Sequence, residues 1–283
     1  MSPPDFDAAR FKALERAGFN RIAARYADGA QPRQRLADDL LDAASLEPGM
    51  RVLDLASGPA LLAHDAARRV APGGWVVASD IAEGMLVEAR RRLAGSNPAS
   101  SENMSYVGAD AEHLCIADRV FDRVLAGLAL FIFPHPEQAL AEIHRVLKPG
   151  GELVLSVWGE REAVPLIGRA QDCIARLLPP PRVARPAVFR FGTPETLTQT
   201  LHDAGFEAVR IAPCDFECEF EDAEAYWQAF LDLAGGAAEA LSRLPVASRQ
   251  ALREAVAEDL APHERKPCGY CVPARALVAC ARA

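Results

Sequence analysis

The spacing of apolar positions divides the chain into three stretches. Over residues 1–46 it is helical: Phe11, Leu14, Gly18 and Ile22 fall near one face, and Leu36, Leu40, Leu41 and Leu46 follow a bend at Pro32. Residues 47–158 alternate short β-rich runs with helical ones. Strands are expected at Arg51–Leu55, Trp75–Asp80, Met104–Val107, Phe121–Ala126 and Glu152–Trp158. Between them, Leu62, Ala66 and Val70 repeat at helical spacing up to Pro72-Gly73-Gly74, and a helix covers Met85–Leu93. A further helix starts at Pro136, with Leu140, Ile143 and Leu147 on its inner face, and stops at Pro149-Gly150-Gly151. Residues 159–283 are mostly helical with two late β-rich segments. In the first, Phe206–Phe220, the residues Cys214, Phe216, Cys218 and Phe220 share one face while Asp215, Glu217, Glu219 and Glu221 take the other. Tyr270–Arg282 is the second. Strands and helices in alternation give an α/β fold, a doubly wound, mostly parallel sheet of seven strands. Ligands of such sheets bind beyond the carboxyl ends of the strands. The three stretches read as one integrated domain: N-terminal helices, a central ligand-binding core, and the rest of the sheet with helical cap insertions.

Composition narrows the function. The 283 residues are 50% hydrophobic and 25% charged, enough for a sizeable core. The net charge of −8, with no long basic run, argues against tight nucleic-acid binding. The apolar run Val124–Phe133 is far shorter than the ~20 residues of a spanning helix. Met1–Asp7 lacks the basic and apolar regions of a secretion signal, and 7 scattered cysteines suit a reduced, cytoplasmic protein. A homodimer is left open.

Three places carry candidate chemistry. The turn Asp54-Leu-Ala-Ser-Gly-Pro-Ala60 is built of small residues between a strand and a helix, so a nucleotide-like ligand can approach its backbone. A tight strand–helix junction explains the same residues. Asp80, at the end of the second strand, can accept both hydroxyls of a ribose or cap the helix that follows. Asp110, beyond the third strand, reaches the same sheet edge, where it could meet an adenine amine or simply occupy a loop.

Together these strings resemble the class I S-adenosylmethionine (SAM)-dependent methyltransferases. The resemblance rests on Val52-Leu-Asp-Leu-Ala-Ser-Gly-Pro59, Ser79-Asp-Ile-Ala-Glu-Gly-Met-Leu86, Gly108-Ala-Asp-Ala111, Phe121-Asp-Arg-Val124 and Arg145-Val-Leu-Lys-Pro-Gly-Gly151. The wider pattern is most similar to the ubiquinone/menaquinone-biosynthesis type, with Phe19–Tyr26 upstream and Thr193-Pro-Glu and Ala204-Gly-Phe206 downstream. It implies a Rossmann-like methyltransferase fold and SAM as methyl donor. By the same resemblance the methionine portion lies near Asp54 and the turn Ala56, Ser57, Gly58 and Pro59, and Asp80 holds the ribose. Ile81 and Met85 pack the adenine faces, Asp110 and Ala111 meet its edge, Gly127 and Leu128 border the reactive methyl, and Tyr26 closes over the cofactor. The chain departs from the pattern with Ala56 and Ala60 in place of glycines. If either needs φ > 0, it costs about 1 kcal/mol. It also has Phe131-Ile-Phe133 where the quinone enzymes carry a polar Arg-Asn pair, which argues against a quinone head group.

Methyl transfer is an in-line displacement that depends on alignment, with a general base only for acidic nucleophiles. His135 and Tyr26 are the candidates for a base, and no catalytic residue is assigned; His135 also reads as a solvated residue at a helix start. His64 reads as structural and His144 as an exposed surface residue. Cys214, Cys218, Cys268 and Cys271 could supply four zinc ligands, but the alternation makes Cys214 and Cys218 small core hydrophobes, so no metal is expected. The resulting expectation is methyl transfer to a small hydrophobic or aromatic molecule. Phe131, Phe133, Trp158, Phe189, Tyr226 and Trp227 are expected to line a cap built from 159–190 and 221–266. A SAM-binding regulator without transfer activity, an arsenite methyltransferase and an NAD(P)-dependent oxidoreductase are the alternatives.

Overall fold

Near-continuous apolar runs build the centre of a parallel sheet, as they must when helices cover both faces. In the computed structural model, which describes residues 6–29, 33–94, 102–181, 183–265 and 269–283, five strands pair in parallel. They are β1 (Arg51–Leu55), β2 (Trp75–Asp80), β3 (Met104–Gly108), β4 (Phe121–Gly127) and β5 (Leu147–Trp158). β6 (Glu207–Phe220), the two-residue β7 (Glu264–Arg265) and β8 (Gly269–Arg282) complete an eight-stranded sheet in the order β3-β2-β1-β4-β5-β8-β6, with β7 alongside β8. β8 runs antiparallel to β5, β6 and β7. The mostly parallel α/β fold expected from the sequence is therefore present, with the short β7 as an addition. The bend at Pro32, the end of the second cap segment at Lys266, and Cys268 lie outside the described residues.

The helices are α1 (Ala8–Asp28), α2 (Gln34–Ala43), α3 (Leu61–Val70), α4 (Glu83–Ala94), α5 (Pro136–Val146), α6 (Pro165–Leu177), α7 (Pro194–Asp203), α8 (Ala223–Leu233), α9 (Gly236–Ser242) and α10 (Val246–Leu260). The chain winds outward from β1 to β3 and returns at β4, which puts the topological switch between β1 and β4. Two details differ from the expected pattern. Leu147 leaves the helix and pairs with Phe121 as the first residue of β5, because Pro149 disfavours helical backbone at Lys148. On α1 the buried stripe runs through Phe11, Glu15, Gly18 and Ile22, while Leu14 is exposed. Gly18 sits there because α9 approaches so closely that a Cβ would lie 2.4 Å from the Gly236 backbone nitrogen.

Beyond the end of β5, β6 and β8 continue as a two-stranded arm. Its inner face packs Phe216 against Trp158 and Phe220 edge-on against Tyr226 of α8, and α6, α8 and α10 pack together around it.

Candidate active site

The β1–α3 turn has unusual backbone. Ala56, Gly58 and Ala60 all adopt left-handed conformations, at φ 53°, 55° and 56°. Both alanines therefore carry the cost that glycine would avoid. A left-handed residue at every second position turns successive N–H groups inward, a concavity suited to anionic or polar ligand atoms. The Ser57 N–H donates to the Ser79 carbonyl at 2.9 Å and ties the turn to β2. The Gly58 N–H donates to Asp80 Oδ2 at 2.8 Å, and the Ala82 N–H to Asp80 Oδ1 at 2.7 Å. Asp80 thus joins the turn to the residues just before α4.

Three polar atoms at this edge have no partner although buried: Asp54 Oδ2, Ser57 Oγ and Ser79 Oγ. Leaving a buried polar atom unpaired costs about 1–3 kcal/mol, so such clusters mark strain or a ligand. Burial pushes the Asp54 carboxyl up to about 8; the Ala63 amide opposes the shift and the Asp80 charge adds to it. Burial also raises Asp80, against its two backbone amides and with a smaller contribution from Glu83. Two carboxyls that share a dry edge favour a cationic or hydroxyl-bearing ligand.

Helix α1 lies across this edge. A Cβ at Gly58 would stand 3.6 Å from Tyr26 Cε1, so the tyrosine ring lies directly over the turn. Lys12 donates to Asp110 Oδ2 at 2.6 Å and to Glu112 Oε2 at 2.5 Å. Burial alone would lower the Lys12 ammonium, but the two carboxylates raise it overall. The second Asp110 oxygen accepts the Glu112 N–H at 3.0 Å. Asp110 is at the expected edge with its carboxylate already clamped. Met85 is 1% exposed and packs with Ile22, Ala23 and Ala82, so it faces α1; Ile81, half-buried, stays at the edge, and Ala111 is buried beside Asp110. Arg16 pairs with Glu83, and Asn20 accepts the Gly84 N–H at 2.7 Å, which seats α1 on α4.

After β4, Leu128 is left-handed (φ 52°) and its N–H points at both the carbonyl and the hydroxyl of Ser156, each at 3.0 Å. Gly127 packs near Leu62 and Leu40. His135 occupies the N-cap position of α5 with its side chain 41% exposed and makes no capping bond, while its N–H donates to Glu112. His144, expected to be exposed, is half-buried edge-on against Phe206 at 5.3 Å. His64 is half-buried beside Arg68.

The aromatic lining differs from expectation. Trp158, Tyr226 and Trp227 are core residues, with Tyr226 donating to the Leu166 carbonyl at 2.8 Å. Phe131 is also buried. A cavity beside Tyr26 is lined instead by Gly29, Arg33, Leu166, Cys218, Phe220, Ala229, Asp232 and Leu233. Nothing in the sequence singles out Lys12 and Glu112, whose partners are distant, or Arg33, whose bonds to a nearby hydroxyl and carbonyls leave no pattern. The Cys214 and Cys218 thiols lie on the inner face of β6, and burial pushes each up to about 12. Cys271 lies on the charged face and donates to Glu217 at 3.1 Å. Cys271 is thus separated from the other two by the strand face.

Residues 52–151 match the family described as "Methyltransferase domain". The demethylmenaquinone methyltransferase of Clavibacter sepedonicus is 35% identical over 173 residues, covering 57% of this chain and 67% of that protein. The ubiquinone/menaquinone biosynthesis C-methyltransferase UbiE of Bordetella avium is 41% identical over 112 residues, 40% of this chain and 42% of the relative. An arsenite methyltransferase of Halobacterium salinarum is 30% identical over 177 residues, 62% of this chain but 42% of that one. A solved protein of Bacillus halodurans C-125 superposes with TM-score 0.59 at 21% identity, covering 87% of this chain and 97% of the other. With this fold and these matches, the chain belongs to the class I SAM-dependent methyltransferases, enzymes whose methyl donor is S-adenosylmethionine. Within that class it resembles the UbiE type, and the match spans 42–67% of the length of the two quinone-biosynthesis relatives above.

Proposed function

We propose that the chain methylates a small hydrophobic or aromatic molecule, in biosynthesis or secondary metabolism, at the edge where β1, β2 and β4 end. The unpaired Asp54, Ser57 and Ser79 oxygens around the left-handed turn carry this reading, because the hydroxyls and ammonium of the donor supply the partners they lack. Asp80 takes the ribose, Ile81 an adenine face, and Asp110 with Ala111 the adenine edge. Asp54 and the turn Ala56–Pro59 take the methionine portion, Gly127 and Leu128 border the methyl group, and Tyr26 covers the donor. Met85 is left out of this set because it faces α1.

When bound, the donor supplies a sulfonium-activated methyl group, whose C–S bond breaks with the electron pair left on sulfur. The protein's part is alignment and water exclusion: α1 shuts the edge, and the Leu128 amide is held by Ser156. Phe131-Ile-Phe133 stands where the quinone enzymes carry a polar pair, which argues against a quinone head group as acceptor. The enzyme is proposed to work as one domain in the cytoplasm. Its acidic balance favours a small molecule over nucleic acid.

One relative is an arsenite methyltransferase, which motivates a second reading. The buried thiols of Cys214 and Cys218, held far from the thiolate form, oppose it. Radiolabelled SAM offered with phenols, aryl amines, thiols and arsenite tests both. Transfer to an aromatic acceptor is expected, and turnover only with arsenite would reverse the assignment. Asp80→Ala should weaken S-adenosylhomocysteine binding by about 1.5–3 kcal/mol per lost bond in calorimetry. Unchanged affinity would remove Asp80 from the donor site.

A further inference from the structure

Tyr26 also forms one wall of the cavity that the cap residues line. The opposing wall is apolar, with Leu166, Phe220, Ala229 and Leu233. Into it comes Arg33. One terminal nitrogen donates to the Tyr26 hydroxyl at 2.7 Å; the other reaches the Tyr26 and Gly29 carbonyls at 3.3 and 3.4 Å. The guanidinium sits 4.4 Å from the Tyr26 ring centre. Its Nε is buried with no partner. Among the described residues no carboxylate pairs with Arg33, and Asp232, which shares the cavity, is bound instead to Arg25 at 3.4 Å. A guanidinium that meets only neutral oxygens in an apolar wall is an uncompensated charge, and such groups are stable when an anion completes them.

We propose that Arg33 is the acid anchor of the acceptor pocket: the molecule that is methylated carries a carboxylate, which pairs with Arg33 while its apolar frame lies among Leu166, Phe220 and Leu233. This rests on the donor site proposed above, since it is Tyr26 that joins cavity and turn. The cavity holds about 20 Å³, room for a single water, so the acceptor is admitted by parting α8 from the end of α1. The Arg25–Asp232 ion pair across that seam has an exposed arginine and resists little. Arg33 fixes orientation by its planar fork, and the methylated atom is a different one, turned toward Gly58.

The test uses the full chain saturated with S-adenosylhomocysteine and a panel of aryl and alkyl carboxylates, each beside its neutral primary amide, read by calorimetry. At least one carboxylate should bind about tenfold or more above its amide. Arg33→Gln should erase that preference, and Arg33→Lys should keep part of it. Affinity for S-adenosylhomocysteine should stay within about threefold in both variants. If no carboxylate outbinds its amide, the inference is wrong. If S-adenosylhomocysteine affinity falls as far as carboxylate affinity, Arg33 serves the donor's own carboxylate and the inference is equally wrong, with the donor site intact. Failure of the unmodified chain to bind S-adenosylhomocysteine would overturn the donor site and this inference with it.

Discussion

The edge where β1, β2 and β4 end and the arm formed by β6 and β8 treat their polar groups in opposite ways. On the arm, acids and bases are paired off in water: Arg275 meets Asp215 at 2.6 Å and Arg265 meets Glu217 at 2.9 Å. Its inner face is Cys, Phe, Cys, Phe, packed into the core except where Cys218 and Phe220 border the cavity beside Tyr26. At the edge, carboxyls and hydroxyls are buried, and several are left without partners. Exposed pairs contribute little and cost little, whereas an unpaired buried group is retained only where something else stabilises it. The arm is chiefly scaffold, lending only its tip to the cavity, and the edge is chemistry.

Substitutions in the two regions should therefore separate binding from stability. The largest effect is expected from Gly58→Val. A branched side chain meets both a left-handed backbone and the Tyr26 ring, so S-adenosylhomocysteine binding should vanish in calorimetry while circular dichroism shows a folded chain. Retained binding would make the turn purely structural.

Next is the pH response of Asp54. Its folded value of about 8 stands above the unfolded ~3.9, so from about pH 4 to 8 the folded chain keeps a proton that the unfolded chain has released. Stability should fall as pH rises through that window, by up to about 1.4 kcal/mol per unit, with Asp80 and Glu15 adding in the same direction. Urea midpoints from pH 5 to 8 should show the slope, and Asp54→Asn should flatten it. A slope untouched by that substitution would place the titrating group elsewhere.

On the arm, Cys214→Ala should cost about 1 kcal/mol in urea unfolding and leave methyl transfer unchanged. Stoichiometric zinc in elemental analysis, lost in this variant, would contradict its role as packing. Smallest of all, Ala60→Gly relieves a left-handed alanine but loosens the unfolded chain, so stability should move by less than about 1 kcal/mol with donor affinity retained. A large loss of affinity would mean that the alanine methyl itself touches the donor.

Much of the sheet could be read from the chain because its signals are local. Strict alternation at 214–220 announces a half-buried strand, and Asp80 is marked by its place at a strand end. The positive φ expected to be costly at 56 and 60 is present at both. What could not be read depends on distant pairing. Glu15 is buried in the α1 stripe where Leu14 was expected, because Arg185 reaches it at 2.7 Å from the cap. Lys12 finds its carboxylates about a hundred positions away, and Arg33 is defined by cap residues that no periodicity connects to it. Of the aromatic residues expected around the acceptor, Phe131, Trp158, Tyr226 and Trp227 are consumed by the core, since large rings stabilise most when fully buried, while Phe133 and Phe189 are half-buried at its margin.

One turn of α1 is tethered on both sides: Lys12 to the loop after β3, and Glu15 to Arg185 of the segment before α7. The same helix carries Tyr26 at its far end, over both the turn and the cavity. A donor held as proposed lies beneath this helix, so its entry and exit require α1 to shift. Arg16–Glu83, Arg25–Asp232 and the Asn20–Gly84 hydrogen bond fasten the same helix further, so the rhythm of turnover would be set by how readily one helix loosens.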